Sequence, residues 1–291
     1  AGTGGPVYPF DFADPYLLRV GGTYYGFATN SAGGNIQVIS SADLVHWAPA
    51  SSDALPQLPK WAAPGLTWAP AVYAGPEGFV LYYSAVLALT GSHCIGAAVS
   101  TEPEGPYVDS SSSPLVCQLD EGGDIDPYEF SDVGGTPYLA WKSDGSDAIW
   151  SEQLDPSGTS FAAGASPARI LRPDQAWESG VVEGPAVLTT AVGYYLFYSA
   201  NDWDSSRYAI GVALCRSPTG PCSKPEDQPL LASQGPMAGP GGPSVLVDGQ
   251  GGLWLAFHAW LPPDVGYPHN RYLYLRRLGF RAGLPVVVAP S

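Results

Sequence analysis

Positively charged residues are scarce in this chain of 291 residues. It has 12 Lys and Arg against 27 Asp and Glu, which gives a formal net charge of −15 at pH 7. Such an excess of negative charge repels nucleic-acid phosphates and anionic lipid headgroups. The composition therefore argues against a nucleic-acid or membrane-surface partner and favours an uncharged one, such as a carbohydrate.

Long hydrophobic runs are also missing. No segment approaches the ~20 apolar residues that a membrane-spanning helix requires. The chain also does not open with a basic segment followed by an apolar one, as a secretory signal peptide would. We therefore expect a soluble protein.

Cysteines are few, and they lie in two sequence-local pairs, Cys94 with Cys117 and Cys215 with Cys222. Neither pair has the spacing of a zinc finger. Four buried free thiols are one interpretation, because cysteine is among the most often buried residues. We favour two disulfides in a protein that is secreted, with its signal peptide removed.

Glycine, proline and aromatic residues are plentiful, with 36 Gly, 30 Pro, 17 Tyr and 9 Trp. Turn-forming residues in these numbers, together with a hydrophobic content of 45%, indicate an all-β protein with many tight turns. Domains of this class reach the length of the whole chain, so we predict that residues 1–291 form a single domain.

A strand that begins with proline occurs five times, and each is followed by a Gly-rich turn and an aromatic strand. The prolines, 55 to 58 residues apart, are Pro15, Pro70, Pro127, Pro185 and Pro243. This period predicts a five-bladed β-propeller with four-stranded antiparallel blades around a central channel. A β-sandwich or a β-helix fits less well, because neither has a five-fold repeat of this length. We expect the residues before Asp14 to complete the fifth blade.

Acidic residues occupy three of the five positions at the head of these strands. They are Asp14, Asp126 and Glu183, the last one residue before the equivalent position. An acid before proline often only caps a turn. In a propeller, however, the five heads converge at the channel, and clustered carboxylates disfavour one another's ionisation. Such a cost indicates a functional site.

Four motifs in this order resemble those of glycoside hydrolase family 43. They are Asp11-Phe12-Ala13-Asp14-Pro15, Thr67-Trp68-Ala69-Pro70-Ala71-Val72, Asp124-Ile125-Asp126-Pro127-Tyr128-Glu129-Phe130 and Val182-Glu183-Gly184-Pro185. The related invertase clan is disfavoured, because its Asn-Asp-Pro-Asn-Gly motif is absent around Asp14.

The resemblance implies an inverting mechanism. In it, Asp14 is the general base that activates water and Glu183 is the general acid that protonates the leaving oxygen. Asp126 raises the pKa of Glu183 and orients it. Keeping one carboxyl protonated while another stays ionised is what close carboxylates in a sheltered pocket achieve.

Three further residues are candidates for substrate binding. Trp68 is expected to stack on a sugar ring, and Arg271 resembles a late arginine of the family that reaches the active site. For His258 two interpretations stay open. It either holds a water or a cation such as calcium at the channel axis, or it is a packed core histidine. No cofactor is expected to be required.

The resemblance implies an α-L-arabinofuranosidase or an exo- or endo-α-1,5-L-arabinanase that acts on plant-type polysaccharide or oligosaccharide. We expect the protein to be a monomer. A β-xylosidase or an exo-galactanase of the same family is the nearest alternative. A carbohydrate-binding propeller without catalysis is an alternative of another class, although it would not need all three acids.

Overall fold

The chain forms five antiparallel sheets in the computed structural model, which describes residues 4–31 and 33–288. In each sheet, strands that follow one another in sequence are neighbours. The first two sheets contain β1 (Tyr16–Val20), β2 (Thr23–Ala28), β3 (Gln37–Ser41) and β4 (Ala48–Pro49), then β5 (Ala62–Gly75), β6 (Gly78–Leu87) and β7 (His93–Ser100). The third contains β8 (Asp124–Ser131), β9 (Pro137–Ser143), β10 (Ala148–Gln153) and β11 (Ala168–Leu171).

The last two sheets follow the same order. The fourth contains β12 (Val182–Thr190), β13 (Gly193–Ala200), β14 (Ala209–Cys215) and β15 (Cys222–Ser223). The fifth contains β16 (Ala238–Val247), β17 (Leu253–Trp260), β18 (Tyr272–Arg281) and β19 (Leu284–Val287). Two 3₁₀ turns, Leu119–Glu121 and Ala176–Glu178, are the helical elements of the described residues. None of the helices in this part of the chain is long and apolar enough to cross a membrane.

The five sheets are the blades of a closed ring. The first strand of each blade contacts the first strands of both neighbouring blades, and β16 of the fifth blade contacts β1 of the first. The predicted five-bladed propeller is therefore confirmed. In the second blade, the fourth strand is reduced to two isolated bridges to β7, Val99 with Val108 and Ile95 with Val116. Assignment of the whole chain to one domain stays a prediction.

The ring closes without the N-terminal strand that we expected in the fifth blade. The outer position of that blade is taken by β19, which pairs with β18. The described N-terminal segment instead makes two backbone hydrogen bonds near the start of β18, from Val7 N–H to Leu273 O at 2.8 Å and from Phe12 N–H to Arg271 O at 2.7 Å. The expectation was wrong because the C-terminal hairpin of β18 and β19 supplies the fourth strand of this blade.

Both predicted disulfides are present. Cys94 in β7 is bonded to Cys117, and Cys215 in β14 is bonded to Cys222 in β15. Each bond joins the outer edge of a blade to the third strand of that blade, which is β7 or β14.

The residue before each strand proline, here called the head residue, has a left-handed backbone in every blade. The head residues have φ between +44° and +58° and are Asp14, Ala69, Asp126, Gly184 and Gly242. This conformation costs roughly 1–2 kcal/mol for a residue with a Cβ. It also interrupts the ladder to the second strand, so the head N–H groups need other acceptors.

Side chains of the preceding blade supply most of these acceptors. In each blade, the residue immediately before the head pairs with a residue in or directly after the second strand. We call this partner the latch residue. The latch residues, in blade order, are Thr29, Ser84, Lys142, Ser199 and His258. Four of them accept the head N–H of the next blade, at the distances Ala69 to Thr29 3.0 Å, Asp126 to Ser84 3.0 Å, Gly242 to Ser199 2.8 Å and Asp14 to His258 3.0 Å.

We predict that Ser84→Ala lowers the free energy of unfolding by about 1–3 kcal/mol, because it leaves the Asp126 N–H without an acceptor. Ser84 is fully buried. The exposed Ser112 provides the control, since Ser112→Ala should leave the urea midpoint unchanged. Equal midpoints for the two variants would contradict the latch role of Ser84.

Candidate functional site

The head residues surround a narrow cavity on the channel axis. Its volume is about 30 Å³, and besides the head residues and their prolines its walls include Tyr16, Tyr128 and Tyr208. A cavity needs roughly 10–15 Å³ to hold one water molecule, so this space fits one or two. Asp14 and Asp126, predicted from separate motifs, thus face the same small volume.

Asp14 lies beside two groups that favour its ionised form. Thr29 Oγ1 donates to its Oδ2 at 2.6 Å, and Arg271 Nη1 lies 3.6 Å from its Oδ1. Burial alone would raise the pKa of this carboxyl, but Arg271 and the Thr29 hydroxyl together hold it below its ordinary value. Asp14 is therefore ionised at neutral pH.

Asp126 has the opposite environment. Burial raises its pKa above the ordinary value, and the carboxylates of Glu183 and Asp14 raise it further, against the opposing effect of Lys142. Its Oδ2 accepts the N–H of Gly184 at 2.9 Å. Asp126 therefore holds the backbone directly after Glu183. The carboxyl group of Asp126 itself favours the neutral form.

Glu183 is held by one group on each carboxylate oxygen. Tyr208 donates its hydroxyl to Oε1 at 2.7 Å, and Lys142 Nζ lies 3.1 Å from Oε2. The Tyr208 ring is parallel to the His258 ring with centroids 6.0 Å apart, and it lies so close to Gly241 that a Cβ there would be 1.8 Å from Tyr208 Cε1. Only glycine at position 241 leaves room for this tyrosine.

His258 is fully buried, and its Nδ1 accepts the N–H of Asp14. In the neutral ring, that bond requires the proton to be on Nε2, which makes Nε2 a donor. Burial lowers the pKa of His258 to about 3, so the ring stays neutral. Nε2 is buried and has no partner among the described residues. The ring is packed in the core and keeps one donor free, so its role in holding a water stays a prediction.

Arg271 is placed at the site by contacts on both its backbone and its side chain. Asp11 Oδ1 accepts its backbone N–H at 2.8 Å, and its guanidinium carbon lies 5.1 Å from the centroid of the Trp203 ring. Two other arginines of β18, Arg276 and Arg277, are bound elsewhere, since Arg276 donates to backbone carbonyls and Arg277 pairs with Asp248.

Trp68 lies beside the site but not in the wall of the axial cavity. Its ring stacks on His93, with centroids 3.9 Å apart, so one face is already covered. Of the other tryptophans near the ends of the aromatic strands, Trp141 and Trp260 are buried in the core, whereas 41% of Trp203 is exposed.

A second, larger cavity of about 290 Å³ adjoins Glu183. Its walls are formed by Lys142, Ser179, Val181, Glu183, Asn201, Asp202 and Trp203. Its size approaches the ~300 Å³ of small ligand pockets. Glu183 therefore lies at the side of a space that can hold a sugar ring.

Sequence reasoning missed Thr29, Lys142 and Tyr208. Thr29 and Lys142 occupy latch positions, so a closer alignment of the second strands would have shown them. Tyr208 lies in the loop before β14, where no repeat marks it. In the part of the chain that the structure describes, no three His, Cys, Asp or Glu side chains are grouped to hold a metal ion.

Comparisons with known proteins agree with this geometry. The family described as glycosyl hydrolases family 43 matches residues 3–285. A probable arabinan endo-1,5-α-L-arabinosidase A of Aspergillus flavus is 30% identical over 296 residues, covering 94% of this chain and 90% of that protein. A β-D-galactofuranosidase of Aspergillus niger is 29% identical over 286 residues, covering 92% of this chain and 79% of that protein.

One solved structure is similar over nearly its whole length. It is described as a thermostable family-43 glycoside hydrolase, has a TM-score of 0.87 and 29% identity, and the match covers 97% of this chain and 94% of that one.

Proposed function

The chain belongs to glycosyl hydrolase family 43, an inverting glycoside hydrolase family, and on that premise we propose that it hydrolyses α-1,5-linked L-arabinan or arabinofuranosides. The observation that carries the proposal is the set of three carboxylates from three different blades, each with a different electrostatic environment. The cavities beside them have room for a water and for a sugar ring.

The base is Asp14. Its ionised carboxylate lies at the axial cavity, where it can accept a proton from a water as that water attacks the anomeric carbon. Thr29 and Arg271 stabilise the negative charge before the reaction. The proton then resides on Asp14, and the oxygen of the water becomes the new anomeric hydroxyl.

The acid is Glu183, which protonates the glycosidic oxygen as its bond to the anomeric carbon breaks. Tyr208 and Lys142 fix the direction of its carboxyl group, and the larger cavity on that side is suited to the departing sugar. Base and acid thus come from different blades, and single-displacement inversion needs them on opposite faces of the sugar ring.

Asp126 orients and tunes the acid. Its bond to Gly184 N–H fixes the backbone that carries Glu183. Repulsion between the two carboxylates favours keeping one proton on the pair. This supports the role of pKa modulator that the family resemblance implies.

Arg271, Trp68 and His258 are assigned to substrate binding. The Arg271 guanidinium lies between Asp14 and the exposed Trp203 ring, where it can donate to sugar hydroxyls. Trp68 has one ring face covered by His93, so the opposite face is the one for a sugar.

A furanoside substrate is favoured over a xyloside or a galactanase substrate. Two of the relatives are named for arabinan and for galactofuranoside, and the second of these names specifies a five-membered ring. Exo-galactanase and β-xylosidase activities remain the alternatives within the family. A binding propeller without catalysis is disfavoured, because binding does not require an ionised base and a separately held acid.

A cation ligated directly by His258 does not fit the site. Its Nδ1 already accepts the Asp14 N–H, so the remaining nitrogen carries a proton and cannot donate a lone pair. Calcium also prefers six to eight oxygen ligands. A water that accepts from Nε2–H fits better, so no step of the mechanism depends on calcium.

We propose that the protein is secreted and acts as a monomer. Two disulfides are typical of oxidising, extracellular surroundings.

Replacing either proposed catalytic carboxylate should lower turnover of linear arabino-oligosaccharides by at least ~100-fold, the scale of general acid–base catalysis. The isosteric changes are Asp14→Asn and Glu183→Gln. Glu183→Gln should lose much less activity on a nitrophenyl arabinofuranoside, because that leaving group needs little protonation. The exposed Asp227 gives the control, Asp227→Asn, with unchanged rates. Wild-type turnover in either isosteric variant, measured by sugar release, would remove that residue from the mechanism.

Thr29→Val should move the acid limb of the pH–activity profile to higher pH. The Thr29 hydroxyl helps to hold the pKa of Asp14 below its ordinary value. Without it, the base becomes protonated at a higher pH and activity falls earlier on acidification. Thr29→Ser keeps the hydroxyl and should keep the wild-type limb. An acid limb in Thr29→Val that coincides with wild type would exclude this contribution.

Chelation should leave both turnover and melting temperature unchanged, because no three His, Cys, Asp or Glu side chains of the described residues are grouped to hold a metal ion and the free nitrogen of His258 carries a proton. The measurement compares protein treated with EDTA, and then with excess calcium, with untreated protein. A loss of activity that calcium restores would show that a metal is required and would contradict the proposed role of His258.

A further inference from the structure

Lys142 breaks the pattern of the latch residues. In the other four blades the latch side chain is a hydroxyl or an imidazole, which accepts the head N–H of the next blade. An ammonium group has three donors and no acceptor. The N–H of Gly184 is bonded instead to Asp126 Oδ2. A lysine at this position therefore removes a latch, and a carboxylate of the site takes its place.

The ammonium group of Lys142 is buried between two sets of carboxylates. On the inner side, Glu183 Oε2 lies 3.1 Å from Nζ. On the outer side, Asp144 Oδ1 lies at 3.0 Å and Asp147 Oδ1 at 3.6 Å. The lysine side chain is only 6% exposed, against 51% for Asp144 and 36% for Asp147. Burying an ammonium costs several kcal/mol unless it is paired.

A second buried lysine, Lys224, forms ion pairs that lie outside the site and provides a comparison. Lys224, 5% exposed, bonds to Glu178 and Asp174 in the fourth blade and also reaches the carbonyl of Arg172. None of these groups lines the axial cavity or the cavity beside Glu183. Lys142, in contrast, is part of the wall of the second cavity.

We propose that Lys142 is a positioning residue for Glu183, whose ammonium group fixes the acid's carboxyl and stabilises the carboxylate that proton donation leaves behind. This inference rests on the proposed function, in which Glu183 is the acid. In the step, the Glu183 O–H bond breaks and an O–H bond forms on the leaving sugar. Lys142 keeps its own protons throughout.

The charged groups around the acid act in opposite directions. Glu183 faces Lys142 in β9, Asp126 in β8 and the Tyr208 hydroxyl before β14. Lys142 itself faces Asp126, Asp144 and Asp147 as well as Glu183. Asp126 favours a proton on the acid, whereas Lys142 favours its release. Removing the ammonium should therefore let the acid keep its proton to higher pH.

The main test is Lys142→Ser. Serine is the residue that two other blades use at this position, and its hydroxyl can accept the Gly184 N–H. The alkaline limb of the pH profile for kcat/KM on arabino-oligosaccharides should move up by about 1 pH unit, the smaller end of the effect of an opposite charge in contact. Turnover on the plateau should fall more for the oligosaccharide than for a nitrophenyl arabinofuranoside, because a weaker acid matters most for a poor leaving group.

Two lysine variants provide the controls. Lys142→Arg keeps the positive charge, so its alkaline limb should stay close to that of the wild type. Lys224→Ser makes the same change at the lysine whose ion pairs lie outside the site, so it should lower the melting temperature while leaving the alkaline limb in place. A folded Lys142→Ser protein with the wild-type limb, or a Lys224→Ser protein with the same shift as Lys142→Ser, would overturn the proposal.

Asp144→Asn tests the same idea through a residue that is half exposed. With one outer carboxylate neutralised, the charge of Lys142 acts more strongly on Glu183, so the alkaline limb should move to lower pH. If Lys142→Ser does not fold, an unmoved or raised limb in Asp144→Asn overturns the inference. Wild-type protein that releases no sugar would instead overturn the proposed function, and this inference with it.

Discussion

The site depends on one constraint, which is that a buried backbone N–H must find an acceptor. Each blade begins with a left-handed head residue that takes its N–H out of the sheet ladder. A side chain of the preceding blade then accepts it, and the last such bond, from Asp14 to His258, joins the fifth blade to the first. The contacts that close the ring therefore also set the positions of the catalytic candidates.

The second constraint is the repulsion between carboxylates that lie close together, and each carboxylate meets it with different neighbours. Three carboxylates face one small region, where full ionisation of all three would be costly. Arg271 and Thr29 stabilise the charge on Asp14, Lys142 and Tyr208 hold the carboxyl group of Glu183, and repulsion between Asp126 and Glu183 favours one proton on that pair. Three chemically similar side chains acquire three different roles because each blade brings different neighbours.

The sequence was sufficient to predict the fold and the positions of the acidic residues, because both follow from one repeat. The even spacing of the strand prolines predicts the five blades, and the heads place Asp14 and Asp126 at one cavity. Other features depend on side chains that meet only in the ring. The tautomer of His258 is set by a bond to a residue 244 positions away, and the Tyr208 hydroxyl comes from a loop outside the repeat. The expected N-terminal strand failed because a C-terminal hairpin fills the same place.

The most direct measurement of the central claim is the anomeric configuration of the sugar first released from a linear α-1,5-arabino-oligosaccharide, followed by ¹H NMR before mutarotation. A water activated by Asp14 and a leaving group protonated by Glu183 on the opposite side predict the β-anomer as the first product. Initial release of the α-anomer would show retention through a covalent intermediate and would contradict the roles assigned to these two carboxylates.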